Sequence, residues 1–366
     1  MIRILHIVAN DKLSGAEKVV LDICKNINRE YECIAITSGH NLGKYFKEAG
    51  IKYYVSDISK LNPKNIIKIR SIIKEENINI VHGHDVKASI AGYLATKGSH
   101  KIVISHIHAT YPWMKGKNVL KYIDRFFRNR YYASIACSKT TLEYYLQNNT
   151  KSNKAKFNLI SNSFDFNELE SKDIKDKETI RKELKIDPEN LVYGYAGRLI
   201  PLKGVDIIIK AFYQVQKQCE SSILVIIGDG EEETSLKQLV SQLKIKNKVI
   251  FTGYEKNIYD YINSLDVFIL SSQREGLPMV ILEAAALKKA IITTPLPGVM
   301  EFIENNQTGI VLESRDVNNL TQAMIILYNN TEAINSLGER AYHKLKEQYN
   351  INSYINKLTE LYDRCQ

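Results

Sequence analysis

Arg198, Lys203, Glu275 and Glu283 have a spacing that suits an anionic, hydroxyl-rich ligand. Arg198 and Lys203 flank a proline-containing turn in "GRLIPLKG", directly after the apolar run "LVYGYA". Two readings are open for this pair: solvated surface cations, or a clamp on phosphate beyond a strand end. Glu275 precedes a Gly-Leu-Pro turn, and Glu283 follows eight residues later within "VILEAAAL", where almost no other polar residue occurs. Eight helical residues span about 12 Å, more than the ~5 to 9.5 Å between the carboxylates of glycoside hydrolases. The two glutamates are therefore expected to hold different parts of one long ligand. Burying Glu283 without a partner would be costly. Pro278 suits the first turn of a helix. Amides near Leu277, Met279 and Val280 would then point between the carboxylates, where an anion is favoured. Hydroxyls, a diphosphate and further hydroxyls describe a nucleotide sugar.

The first half of the chain offers weaker patterns. Ser14 and Gly15 lead into a helix, a setting for plain capping or for phosphate contact. The stretch has no G-x-G-x-x-G fingerprint, so a nicotinamide cofactor is unsupported. "HGHD" (His82, His84, Asp85) and "HIH" (His106, His108) end two apolar runs and raise the alternative of a metal-dependent hydrolase. Each histidine pair is read as alternating along its strand, one ring inward and one outward. With the usual carboxylate ligands not evident, no metal site is assigned.

Such residues need elements that bring strand ends together. Short β-branched runs alternate with amphipathic segments, as in "IRILHIVA", "AEKVVLDICKNI", "ECIAITS" and "LGKYFKEA". The alternation pauses at a charged stretch from Glu168 to Asn190 and restarts with "LVYGYAG", "SILVIIG", "DVFILSS" and "AIITT". Near-continuous apolar strands joined by helices imply parallel sheets covered on both faces. The fold class is therefore α/β, with two doubly wound domains. Residues 1–167 form the first, 168–348 a linker and the second, and 349–366 a terminal helix packing back on the first. Ligands of such sheets bind beyond the carboxyl ends of strands, which is where the charged residues fall.

Composition limits the setting. The 366 residues suit two domains, and 44% hydrophobic with 25% charged residues is the balance of a folded globular chain. "MIRILHIVAN" reads as a first strand rather than a signal peptide. No apolar run reaches the ~18 residues of a membrane span. Five cysteines without paired short spacing indicate neither a disulfide framework nor a zinc ribbon, and a reducing cytoplasm fits them best. A net charge of +9 favours anionic partners. Nucleic-acid-binding signatures are missing, so phosphorylated substrates or an anionic bilayer are preferred.

Taken together, "GRLIPLKG", the E-x7-E run, "SGAE", "IACS" ending at Ser138, "NSFD" (Asn162–Asp165) and "PGVME" (Pro297–Glu301) resemble the retaining glycosyltransferases of family 4, over nearly the whole chain. The resemblance implies a GT-B fold, two Rossmann-like domains facing a central cleft, with acceptor on the first and nucleotide-sugar donor on the second. It makes Arg198 and Lys203 the clamp on the donor diphosphate and Glu283 the partner of the ribose hydroxyls. Glu275 would face the donor sugar, and His108 would lie near the reacting carbon. Backbone amides at Gly15 and in the turn of Gly276, Leu277 and Pro278, where Pro278 itself has none to give, would complete the donor site. Ser14 stands where the family often has glycine, and Pro297 replaces the first glycine of a Gly-Gly turn. The activity implied is transfer of a hexosyl or N-acetylhexosaminyl group from a nucleotide-diphosphate sugar, a UDP-sugar for preference. The acceptor would be a glycan or lipid-linked molecule in cell-surface polysaccharide synthesis. No metal or other cofactor is implied, and neither is nucleic acid. Besides the hydrolase built on His82, His84, His106 and His108, the alternative is a non-catalytic nucleotide-sugar-binding partner subunit.

One basic amphipathic stretch, "GKNVLKYIDRFFRNRYY" (116–132), bears on location. Lys117, Lys121, Arg125 and Arg128 recur at helical spacing, with Val119, Leu120, Ile123, Phe126 and Phe127 opposite. The apolar side is expected in the domain core and the cations on an anionic membrane, giving a cytoplasmic protein peripheral to the inner face of the cytoplasmic membrane.

Overall fold

The computed structural model describes residues 1–59, 61–116, 118–149 and 151–365. It divides into two compact units, one of Met1–Asn162 with Ile351–Gln366, the other of Ser163–Asn350. The first is built on a parallel seven-stranded sheet of β1 (Ile2–Val8), β2 (Tyr31–Thr37), β3 (Lys52–Val55), β4 (Ile80–His84), β5 (Ile102–Ile107), β6 (Ala133–Ala136) and β7 (Phe157–Leu159). Its spatial order is β3-β2-β1-β4-β5-β6-β7. The second carries β8 (Leu191–Ala196), β9 (Ser222–Ile227), β10 (Val249–Gly253), β11 (Val267–Leu270), β12 (Ala290–Thr293) and β13 (Ile310–Val311), in the order β10-β9-β8-β11-β12-β13. Central strands such as "SILVII" and "VFIL" are buried throughout, because helices cover both faces. Strand order reverses at β1/β4 in the first unit and at β8/β11 in the second, and these are the points where helices diverge and leave a crevice.

The edge strand β3, "KYYV", has no sequence counterpart in the apolar runs noted above. None of its residues is fully buried, so its pairing with β2, from Ile34 opposite Lys52 to Thr37 opposite Val55, is set by the sheet rather than by an apolar signal. The chain leaves the second unit beside the place where it enters: the Phe164 amide donates to the Tyr349 carbonyl at 2.8 Å. The helix Ile351–Asp363 then packs against the helix Gly15–Asn26 of the first unit. There the Tyr362 hydroxyl lies 2.6 Å from His82 Nδ1, and Tyr31 donates to Asp363.

The helix Val119–Arg128 is turned the other way from expectation. Val119 is 71% exposed and Phe126 51%, with Leu120, Tyr122 and Ile123 also exposed. Arg128, placed on the cationic face by its spacing, is 1% exposed. Its guanidinium donates to both Asp124 carboxylate oxygens, at 2.6 and 3.0 Å, and to the hydroxyls of Ser105 and Ser134 at 3.2 Å. It also lies 4.8 Å from the centre of the Tyr145 ring. The fully buried residues of this helix are thus an ion pair four residues apart; of the apolar side chains, Phe127 packs against the core as expected, and Val119, Leu120, Ile123 and Phe126 are left outside. Lys117 lies outside the described residues. Removing one partner of a buried pair strands the other charge. Arg128→Ala is expected to lose about 3 to 5 kcal/mol in urea unfolding, whereas Arg128→Met combined with Asp124→Leu should lose far less.

Candidate active site

In the second unit, the turns after β8 and β11 are tied together by hydrogen bonds. Gly197 leaves β8 at φ 150°, and Gly228 leaves β9 so close by that a Cβ there would meet the Gly197 carbonyl at 2.1 Å. The chain then forms a single 3-10 turn, Pro201–Lys203, ended by Gly204 in the left-handed region at φ 65°. Directly after β11, the Ser271–Ser272 segment reaches across. The Ser271 hydroxyl bonds to the carbonyls of Lys203 (2.9 Å) and Gly204 (2.8 Å), and the Gln273 amide donates to the Leu202 carbonyl at 2.8 Å. Arg315 Nε donates to the Ser271 carbonyl at 2.7 Å, closing the arrangement from a third segment. Gly204 is required here, since a Cβ would sit 2.2 Å from the Arg315 guanidinium and 2.8 Å from the Ser271 carbonyl.

These ties set the charged groups. Lys203 Nζ forms an ion pair with Glu275 Oε1, and the Ser272 hydroxyl donates to the same oxygen at 2.7 Å. Expected on different parts of a ligand, Lys203 and Glu275 are in direct contact, at 19% and 13% side-chain exposure. Arg198 is exposed at the exit of β8. Pro278 stands one position earlier than expected: it is the N-cap residue of the helix Met279–Ala286, at φ −75° and ψ 134°. The side chain of Pro278 makes no capping hydrogen bond, so the Met279 and Val280 amides that open the helix face a position an anion could take, while the Ile281 amide already donates to the Pro278 carbonyl at 3.2 Å. Gly276 and Leu277 are buried in the turn, and Gly298 packs so tightly on it that a Cβ would lie 1.9 Å from the Gly276 carbonyl. Glu283, in the second turn of the same helix, is 7% exposed. Lys203, Glu275 and the amide end of this helix therefore meet at the β8/β11 switch point. Sequence reasoning missed Ser271, Ser272 and Arg315, whose residue types carry no signal apart from the turns they bridge.

In the first unit Gly15 opens the helix Gly15–Asn26 and is exposed. Ser14 does not cap it; its hydroxyl donates instead to the buried Glu17, which also accepts from Asn10 Nδ2 at 2.7 Å. Asp85, after β4, holds φ 84°, a conformation L-residues rarely adopt, and caps the next helix through the Val86 amide at 2.6 Å.

The histidines correct the expected alternation, since residues two apart in a strand share a face. His82 lies opposite His6 of β1, which sequence reasoning missed, and His84 lies opposite His106 when the register with β5 is followed. His6 Nδ1 is 2.9 Å from His84 Nε2, and His84 Nδ1 is 3.1 Å from His108 Nε2. His106 stacks on His108 with ring centres 4.1 Å apart. Burial holds His82, His84 and His106 well below the ordinary histidine range and draws His108 down to about 3. They are neutral rings, able to share hydrogen bonds without carrying charge.

Two doubly wound parallel units with charged and polar residues at their switch points constitute the GT-B class of fold, and the chain belongs to family 4 of the glycosyltransferases. Residues 176–344 match the model of "Glycosyl transferases group 1" and residues 13–168 that of "Glycosyltransferase Family 4". The chain is 24% identical to the N-acetyl-alpha-D-glucosaminyl L-malate synthase of Bacillus anthracis over 98% of this chain and 96% of that one. It is also 24% identical to the UDP-Gal:alpha-D-GlcNAc-diphosphoundecaprenol alpha-1,3-galactosyltransferase of Escherichia coli, over 99% and 96%. Anabaena HepE, solved in complex with UDP-glucose, shares the fold at a TM-score of 0.89 and 21% identity, with both chains fully covered. The protein is an enzyme of this family, which sets aside the hydrolase and the non-catalytic partner.

The neutral histidines make stability depend on pH. In the unfolded chain each titrates near ~6.5, well above its folded value. Below that pH the unfolded chain takes up protons that the folded chain refuses, so stability falls as pH falls, by up to about 1.4 kcal/mol per pH unit for each histidine. The urea midpoint is expected to drop steeply between about pH 6.5 and pH 5, and His106→Phe should flatten that slope.

Proposed function

We propose that the protein transfers a hexosyl or N-acetylhexosaminyl group from a UDP-sugar to a glycan or lipid-linked acceptor, with retention of configuration and without a metal ion, in cell-surface polysaccharide or glycoconjugate synthesis. The observation that carries this reading is the contact of Lys203 and Glu275 beside the uncapped helix Met279–Ala286, with Glu283 buried in that helix. Arg198, Lys203 and the helix amides offset the charge that builds on the departing diphosphate, stabilisation that is strongest where it is held in place before reaction. Lys203 rests on Glu275 until phosphate competes for it, and Glu275 then turns to sugar hydroxyls. Glu283 accepts from the ribose. Gly15 and His108 keep the roles the resemblance implies, contact with phosphate and with the sugar near its reacting carbon; a neutral His108 suits a hydroxyl partner. The acceptor's proton goes to the leaving phosphate. The UDP-galactose-dependent relative and the UDP-glucose complex of HepE support a UDP donor.

A lipid-linked acceptor is supported by that relative's diphosphoundecaprenol substrate and by the helix Val119–Arg128. Exposed Val119, Leu120, Ile123 and Phe126 form an apolar stripe, with Arg130 against the Phe126 ring and Arg125 against Tyr122. Such a helix suits the plane of an anionic interface, apolar face down, which supports a peripheral position on the inner face of the cytoplasmic membrane. No helix among the described residues is long and apolar enough to cross a membrane.

Acceptor-dependent release of UDP from a panel of UDP-sugars, with the product's anomeric configuration read by NMR, tests the reaction; inversion, or a requirement for added Mg2+ or Mn2+, would overturn it. Lys203→Ala or Arg198→Ala should lower kcat/KM by one or more orders of magnitude, since each removes a charge-assisted contact of about 1.5 to 3 kcal/mol. By calorimetry with UDP, Glu283→Gln should weaken binding, whereas Glu275→Gln should bind at least as well and fail in transfer. Leu120→Ser, Ile123→Ser and Phe126→Ser together should abolish cosedimentation with anionic vesicles; unchanged binding would place the attachment elsewhere.

A further inference from the structure

Away from the strand ends just described, the first unit gathers two thiols and an imidazole. Cys24 comes from the helix Gly15–Asn26, Cys33 from β2 and His6 from β1. The Sγ atoms and a ring nitrogen of His6 all lie within 4.8 Å of one another. Spacing in the sequence gives no hint of this, because a helix and two strands separate the three residues.

We infer that His6, Cys24 and Cys33 form a binding site for a thiophilic divalent cation of the Zn2+ class, with His6 Nε2 and the two sulfurs as ligands and a fourth ligand from solvent. The distances fit. With Zn–S near ~2.3 Å and Zn–N near ~2.05 Å, a tetrahedral ion places its sulfur and nitrogen ligands about 3.5 Å apart, and Cys33 Sγ lies 3.5 Å from His6 Nε2. The ligand chemistry fits as well. Two thiolates neutralise the ion where a set of imidazoles alone would leave its charge buried. That distinction favours this group over His84, His106 and His108, which also approach one another. Both cysteines are half-buried residues, at the margin of the core rather than sealed within it.

The surroundings supply the outer partner that metal-bound histidines need. With Nε2 on the ion, His6 carries its proton on Nδ1, which is 2.9 Å from His84 Nε2. His84 must then donate from Nδ1 to His108 Nε2, 3.1 Å away. A metal at one end therefore sets the tautomers of His6, His84 and His108 in turn, and leaves the proton of His108 on Nδ1, a buried nitrogen without a hydrogen-bond partner among the described residues. Binding converts two thiols to thiolates and releases their two protons to solvent, with no change of oxidation state.

The three ligands are not among the residues proposed to hold donor or acceptor, and the test uses no turnover. Full-length protein, purified reduced and metal-free, is titrated with Zn2+ and separately with Co2+. One equivalent of Co2+ should produce a thiolate-to-cobalt charge-transfer band, and one equivalent of Zn2+ should abolish it and raise Tm. Cys33→Ser or Cys24→Ser should weaken Zn2+ binding by about a hundredfold or more, and His84→Gln by about ten- to a hundredfold. Cys365→Ser should leave the band intact. A missing band, a band that survives both cysteine changes together, or one lost in Cys365→Ser would overturn the site. Should the cysteine variants not fold, zinc-edge X-ray absorption of the intact protein decides: two sulfurs in the first shell support the inference, and none or one refutes it.

Discussion

The second unit depends on how two neighbouring strands let go of each other. β8 and β11 share a stretch of parallel ladder, and beyond it their helices leave to opposite faces of the sheet, so nothing in the sheet itself closes the gap. Hydrogen bonds from Ser271 to the carbonyls of Lys203 and Gly204, and from Gln273 to Leu202, close it at the backbone. Only with the two turns fixed in this way can Lys203 and Glu275, 72 positions apart in sequence, share a proton-donating contact. The glycines follow from the same constraint. Gly204, Gly228 and Gly298 each stand where a Cβ would strike a carbonyl of the adjoining turn.

The first unit meets a different constraint at its own switch point. Five histidines lie on its three central strands or just past their ends, and burial keeps His82, His84, His106 and the half-buried His108 as neutral rings. A neutral imidazole has one donor and one acceptor, so a row of them transmits a choice of tautomer from ring to ring. Alternation of apolar side chains packs the strands, while this polar row fixes the relation between β1, β4 and β5. The two units thus solve the same topological problem with opposite materials, fixed charges on one sheet and uncharged rings on the other.

The architecture was legible because fully buried parallel strands read as unbroken β-branched runs, and both switch points carried the motifs that drew attention first. Arg198, Lys203, Glu275 and Glu283 could be singled out as charge set in apolar or glycine-rich surroundings. What escaped had a physical reason. Asp124 and Arg128, four residues apart, look like any solvated pair on a helix, and only the sheet beneath reveals that they are the buried face. The histidine pairs were assigned to opposite faces although a strand places residues two apart together. His6 lay in a run that read as plain strand, and its partners come from β4 and the helix-borne Cys24 region, a meeting that only topology creates. Pro278 belongs to the cap and not the first turn because the preceding Gly-Leu segment is already held by packing against Gly298.

The closing helix Ile351–Asp363 belongs to the first unit although the whole of the second is made before it. Buried Tyr354, Leu358 and Tyr362 fill a face of that unit, and Tyr362 supplies the hydrogen bond to His82. On the ribosome, where domains ordinarily fold in the order they emerge, the second unit is complete while the first still waits for this helix with an apolar face and a histidine exposed. Completion of the earlier unit is thereby a report that the later one has been synthesised, and a chain released early displays unfinished surface for chaperones and proteases to recognise.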